Sequence, residues 1–155
     1  MRKVSQSLAI LSLILLILSS YTLAATPLSD ERVKEAKQCG VQEVDVAKAK
    51  ELIAKGAVVL DVREYTEYVA GHIPGALWTP RGTLDFKADE WLPDKEKTYL
   101  IYCKTGGRGI ISSCDLKKIG YKNVYNLKGG FDAWTKAGEP VEKGEPQGIG
   151  KGVKK

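Results

Sequence analysis

Six consecutive residues, Cys103-Lys104-Thr105-Gly106-Gly107-Arg108, bring together a nucleophile, two cations and two glycines. The thiolate is the reactive form of cysteine, and nearby positive charge favours it. Gly106 and Gly107 permit positive φ, so the backbone can curl and turn successive N–H groups inward. Lys104 and Arg108 add positive charge to the same loop. The chemistry expected is nucleophilic attack by Cys103 from an anion-stabilising loop.

Such a loop needs a strand to deliver the cysteine and a helix to supply N–H donors. The stretch 98–119 supplies both. Tyr99-Leu100-Ile101-Tyr102 reads as a buried strand. Ile110, Ile111, Cys114 and Ile119 recur at helical spacing behind the glycines. The flanking chain alternates strand and helix patterns. Strands are expected over 41–44, 57–62, 77–79 and 124–127. Helices are expected over 27–38, capped by Ser29 or Asp30, over 46–55, capped by Asp45, over 64–70 and from 130 to Pro140. Residues 81–91 read as a loose helix or a loop. The apolar run 57–62 suits a strand covered on both faces. The fold class is α/β: three layers, a mainly parallel five-stranded sheet flanked by helices, with the Cys103 loop at the C-terminal edge of the sheet. Phe131 and Trp134 share one helix face and are expected in the core.

Four segments together resemble the rhodanese-like family of sulfurtransferases. They are Cys103-Lys104-Thr105-Gly106-Gly107-Arg108, Val59-Leu60-Asp61-Val62-Arg63, Gly71-His72-Ile73-Pro74-Gly75-Ala76 and Gly129-Gly130-Phe131-Asp132-Ala133-Trp134. The resemblance spans 41–141 and implies a catalytic Cys103 that carries sulfur as a persulfide. It implies a small anionic donor such as thiosulfate, a thiol or cyanide as acceptor, and no cofactor. The loop from Lys104 through Thr105, Gly106, Gly107 and Arg108 to Gly109 would hold the charge on the terminal sulfur. Lys104 would attract the donor, and Arg108 would pin the loop. Asp61 and Arg63 stand at a strand end, where they can line a pocket or fix loops as an ion pair; the resemblance favours the supporting role. His72 is the only histidine, and the resemblance gives its loop a shaping role. Two departures stand out. Only Lys104 is charged directly after the cysteine, where members efficient with thiosulfate often carry more. Gly109 stands where the family often has serine or alanine, which loosens the start of the helix.

Other readings remain open. Phosphatases and arsenate reductases of the same architecture use a C-x5-R loop, one residue longer than the C-x4-R here. They would turn over phosphoryl groups and form no persulfide. A carrier would accept sulfane sulfur and hand it to one protein partner with little free turnover. A redox protein would pair Cys103 with Cys39.

Composition narrows the remainder. The chain has 155 residues, enough for one domain, and 43% apolar residues, as in a globular protein. The net charge of +5 is concentrated at the two ends, so no nucleic-acid stripe is present. Arg2-Lys3, the uncharged run 8–18 and Ala24-Ala25 read as a signal peptide over 1–25. Export, to the periplasm, is therefore expected, with no stable membrane span after cleavage. Residues 26–40 form a helical extension, and 142–155 a disordered basic tail. Three cysteines are an odd number, so one stays free or pairs outside the chain. Cys114 reads as a buried core residue. Cys39 could be a resolving thiol, a disulfide partner or a surface residue. One histidine and no C-x-x-C give no zinc site.

Overall fold

The computed structural model describes residues 27–147. The expected signal peptide, 1–25, lies outside them, as does the tail from 148 onward. Five strands form one sheet: β1 (Gln42–Val44), β2 (Val58–Asp61), β3 (Leu77–Trp78), β4 (Thr98–Tyr102) and β5 (Asn123–Leu127). Their order is β1-β5-β4-β2-β3, and every pairing is parallel. Among the described residues six helices accompany them: α1 (Leu28–Lys37), α2 (Val46–Ala54), α3 (Tyr65–Ala70), α4 (Arg81–Trp91), α5 (Gly107–Lys118) and α6 (Gly130–Lys136). Residues 81–91 are thus a continuous helix. No helix among the described residues is long and apolar enough to cross a membrane.

β4 lies at the centre, hydrogen-bonded to β2 and β5. Its side chains alternate between the two faces of the sheet. Tyr99, Ile101 and Cys103 join a core with Leu84 and Ala88 of α4 and Leu116 of α5. Leu100 and Tyr102 join the opposite core with Ala49 of α2 and Trp134 of α6. The sequence alternation therefore decides which layer Cys103 belongs to. Local signals set the helix ends. Asp45 accepts from the Lys48 amide at 2.8 Å and caps α2. Glu64 and Glu67 form a reciprocal capping box at the start of α3.

Three expectations are corrected. α1 has Pro27 at its cap position and no side-chain cap, with Ser29 and Asp30 inside the first turn. The Asp30 amide is instead satisfied by the Pro27 carbonyl at 2.9 Å. Cys114 is buried as expected but is bonded to Cys39, with the two Cα atoms 5.6 Å apart. Val33 and Ala36 of α1 pack with Ile110, Ile111 and Cys114 of α5, which brings Cys39 to Cys114 and leaves Cys103 free. The reading that pairs Cys39 with Cys103 is thereby overturned. Finally, residues 142–147 are placed against the fold. His72 and Glu142 exchange backbone hydrogen bonds at 2.8 and 2.9 Å, and the Gly144 amide donates to Val69. Their polar composition reads as tail, but their backbone groups pair with the chain around the Gly71 turn.

Candidate active site

Cys103 follows directly on β4, at the C-terminal edge of the sheet, and is 1% exposed. The chain turns at Gly106, whose φ of +103° only glycine adopts without strain. That turn aims the Gly106 amide at the cysteine sulfur, 3.2 Å away. α5 then begins at Gly107, so its first-turn N–H groups and dipole lie beside the sulfur loop. Gly107 itself is the first helical residue and has no positive φ, so one glycine of the pair makes the curl. The arrangement can stabilise an anion on or next to Cys103.

The far wall comes from α6. Gly130, at φ +57°, presses its backbone onto Cys103 and Lys104, where any Cβ would collide with their carbonyl oxygens. The Phe131 amide donates to the Cys103 carbonyl at 2.8 Å, and the Asp132 amide to the Lys104 carbonyl at 3.0 Å. The Gly129-Gly130 pair is thus a docking surface for the cysteine loop. Lys104 and Thr105 remain exposed, and Lys104 has no ion-pair partner among the described residues. Lys104 lines an open depression of about 270 Å³ with Arg63, Glu67, Phe131 and Asp132.

Arg108 leaves the loop for α3. It makes a two-pronged salt bridge to Glu67, at 2.7 and 2.9 Å. This hydrogen bond holds the Glu67 carboxyl below its ordinary range and raises the Arg108 guanidinium above its own. Arg108 therefore ties α5 to α3; the sequence pointed to a role in pinning the loop, and the Glu67 partner was missed. A Glu three residues into a short helix reads as a cap, and its second role is set by packing.

Asp61 and Arg63 form a buried pair. Arg63 Nη2 lies 2.6 Å from Asp61 Oδ2 and donates to the Gly71 carbonyl at 2.6 Å. Tyr102 donates its hydroxyl to Asp61 at 2.7 Å and accepts from the Ile73 amide at 3.1 Å. Burial, then the Asp61 charge, pushes the Tyr102 phenol up, so it stays protonated. The Arg63 guanidinium also stacks 4.2 Å over Phe131. The pair ties β2, β4, the Gly71 turn and α6 together, and Arg63 at the same time forms part of the wall of the depression. His72 stands apart. Its Nδ1 is 3.0 Å from the Tyr68 carbonyl, which can only accept, and its ring stacks on Tyr68 at 3.8 Å. Arg81 faces Asp115 of α5 at 4.0 Å, away from the depression.

Asn126 was also missed. It is fully buried on β5, in register with Ile101 and on the Cys103 side of the sheet. Its Nδ2 donates to the Gly106 carbonyl at 3.4 Å and to Glu43 at 3.1 Å. A Cβ at Gly109 would overlap its Oδ1. The signal was an amide at an inward position of an apolar strand, which needs a polar partner.

A family model for the rhodanese-like domain matches residues 45–137. A sulfurtransferase of Allochromatium vinosum is 32% identical over 103 residues, covering 65% of this chain and 94% of that protein. The candidate sulfur carrier protein YrkF of Bacillus subtilis is 39% identical over 77 residues, 50% of this chain but only 40% of that one. The crystal structure of a rhodanese-related protein from Thermoplasma volcanium superposes with a TM-score of 0.60 at 30% identity, covering 65% of this chain and 97% of that one. A Cys loop clasped between a central parallel strand, the helix after it and a Gly-Gly turn thus accompanies the sequence match, and the chain belongs to the family of rhodanese-like domains.

Proposed function

We propose that the protein is a sulfurtransferase that carries sulfane sulfur on Cys103. The observation that carries this reading is the 3.2 Å bond from the Gly106 amide to the Cys103 sulfur, at the start of α5. The thiolate attacks the outer sulfur of thiosulfate. The S–S bond breaks and sulfite leaves with its electron pair. Cys103 is left as a persulfide, whose terminal charge faces the loop amides of Lys104 to Gly109. A nucleophilic acceptor, cyanide or a thiol, then takes the terminal sulfur and returns the Cys103 thiolate. Lys104, exposed and without an ion-pair partner among the described residues, draws in the anionic donor. Arg108 is committed to Glu67 and acts by holding the loop. That commitment, with the short C-x4-R spacing, weighs against phosphoryl transfer. No cofactor takes part in this cycle.

The match to a candidate sulfur carrier favours a second reading, in which a protein partner takes the sulfur and free turnover is small. We also propose export to the periplasm. The N-terminal pattern and the Cys39–Cys114 disulfide support an oxidising compartment.

The test is intact mass and peptide mapping after incubation with thiosulfate. One added sulfur atom on Cys103, removed by cyanide as thiocyanate and absent in Cys103→Ser, is expected. No sulfur on a free Cys103 rejects thiosulfate as donor. Loading by thiosulfate with slow release to cyanide and fast release to a protein acceptor favours the carrier.

A further inference from the structure

We infer that Asn126 is a positioning residue for Cys103, holding the Gly106 turn so that its amide meets the sulfur. The inference deepens the role proposed for the Cys103 loop and rests on that reading for its catalytic meaning.

Gly106 is held at both ends. Its N–H donates to Cys103 Sγ at 3.2 Å. Its carbonyl accepts from the Ile110 amide at 2.9 Å and from Asn126 Nδ2 at 3.4 Å. The Ile110 bond belongs to any helix that starts here. The Asn126 bond comes from a neighbouring strand and ties the turn to the sheet that carries Cys103. The orientation of the amide is fixed by its surroundings. Both groups near Nδ2, the Gly106 carbonyl and the Glu43 carboxylate, are acceptors.

The other half of the amide explains a second oddity. Asn126 Oδ1 is buried and has no hydrogen-bond partner among the described residues. An apolar residue would avoid that cost, so the amide is retained for its donor side. Oδ1 fills the space over Gly109, where any Cβ would overlap it. Gly109 is therefore the complement of Asn126: the helix start gives up a side chain so that a strand amide can reach under the loop. Where a serine or alanine at 109 would have filled this space, here the turn is held from below.

The test is the rate and pH profile of Cys103 alkylation by iodoacetamide in the full chain, with its disulfide intact. Asn126→Ala removes the donor together with the orphaned oxygen. Asn126→Asp keeps the volume and sets a carboxylate against the Gly106 carbonyl. The charged groups already around the loop stay in place in both: Glu43 on β1, Arg63 after β2, Glu67 on α3, Lys37 on α1, Lys104, Arg108 on α5, Lys128 after β5 and Asp132 on α6. Asn126→Asp adds one carboxylate beside Glu43, so Asn126→Ala is the variant that isolates the lost donor. Both variants are expected to shift the profile to higher pH and to slow alkylation at neutral pH by about tenfold, the loss of one well-aimed hydrogen bond to a charged group. Sulfur loading should fall in step. An unchanged profile in either folded variant overturns the inference, as does a Gly109→Ala chain that is as stable as the parent. Alkylation needs no sulfur donor. A parent protein that refuses thiosulfate would therefore reject thiosulfate as the donor and leave this test standing.

Discussion

Arg108 and Glu67, on two different helices, meet through two parallel hydrogen bonds of 2.7 and 2.9 Å. The cation that the loop sequence offers to a substrate is thereby spent on structure. Glu67 also closes the α3 capping box through the Glu64 amide at 3.1 Å. One carboxylate thus fixes both the start of α3 and the start of α5.

This relationship sets a pH dependence. The folded Glu67 carboxyl titrates below its unfolded value because Arg108 favours the charged form, so the pair adds stability above the unfolded value of about 4.3. That contribution falls away as pH drops through the lower, folded value. Both groups keep contact with water, which limits the gain to about 1 kcal/mol. Glu67→Gln should lower the urea midpoint at pH 7, with a deficit that shrinks at an acid pH below the unfolded value. A deficit equal at both pH values would assign the loss to the capping box alone.

The Asp61–Arg63 pair should behave differently because it is buried. Arg63→Met leaves a carboxylate in the core with Tyr102 as its remaining side-chain partner. The expected loss is about 3–5 kcal/mol in chemical denaturation. Asp61→Asn/Arg63→Met, which removes both charges, should recover part of it. A double variant that is no better than Arg63→Met would show that packing on Phe131 and the Gly71 bond carry the cost.

What was legible in the sequence follows the range of the forces involved. The alternation of Tyr99 to Cys103 and the Asp45 cap are local, and they placed β4, α2 and Cys103. The four motifs placed the loop, the Asp61–Arg63 pair and the Gly-Gly turn. Cys114 was read as core from its helical spacing, and it is buried, but its bond to Cys39 depends on how α1 docks across a separation of 75 residues. The backbone pairing of Glu142 with His72 is silent in a polar composition. Glu67 and Asn126 look ordinary until α3 and β5 are brought to the loop.

The Cys39–Cys114 disulfide closes a span of 75 residues and staples α1 to the helix that begins at the Cys103 loop. Chain entropy assigns such a crosslink about 4 kcal/mol. Cys39→Ser should lose stability on this scale, and dithiothreitol should lower the melting temperature of the parent but not of the variant. Thiol titration of the denatured, unreduced parent should find one thiol per chain, Cys103. Three thiols in protein kept under oxidising conditions would remove the staple.

Lys104 is the position where binding and folding separate most cleanly. Its carbonyl is anchored by the Asp132 amide at 3.0 Å, so the backbone of the loop does not depend on the side chain. The ammonium group itself is exposed and has no ion-pair partner among the described residues. Removing it should change stability by less than about 0.5 kcal/mol. A divalent anionic donor loses long-range attraction, so Lys104→Ala should raise the KM for thiosulfate several-fold while kcat changes little. Salt should shrink the difference, because the Debye length falls from about 10 Å at 0.1 M to about 3 Å at 1 M. Lys104→Arg should keep the low KM. If kcat falls and KM stays constant, Lys104 instead acts on the bond-breaking step. An unchanged pair of constants removes it from the donor site altogether.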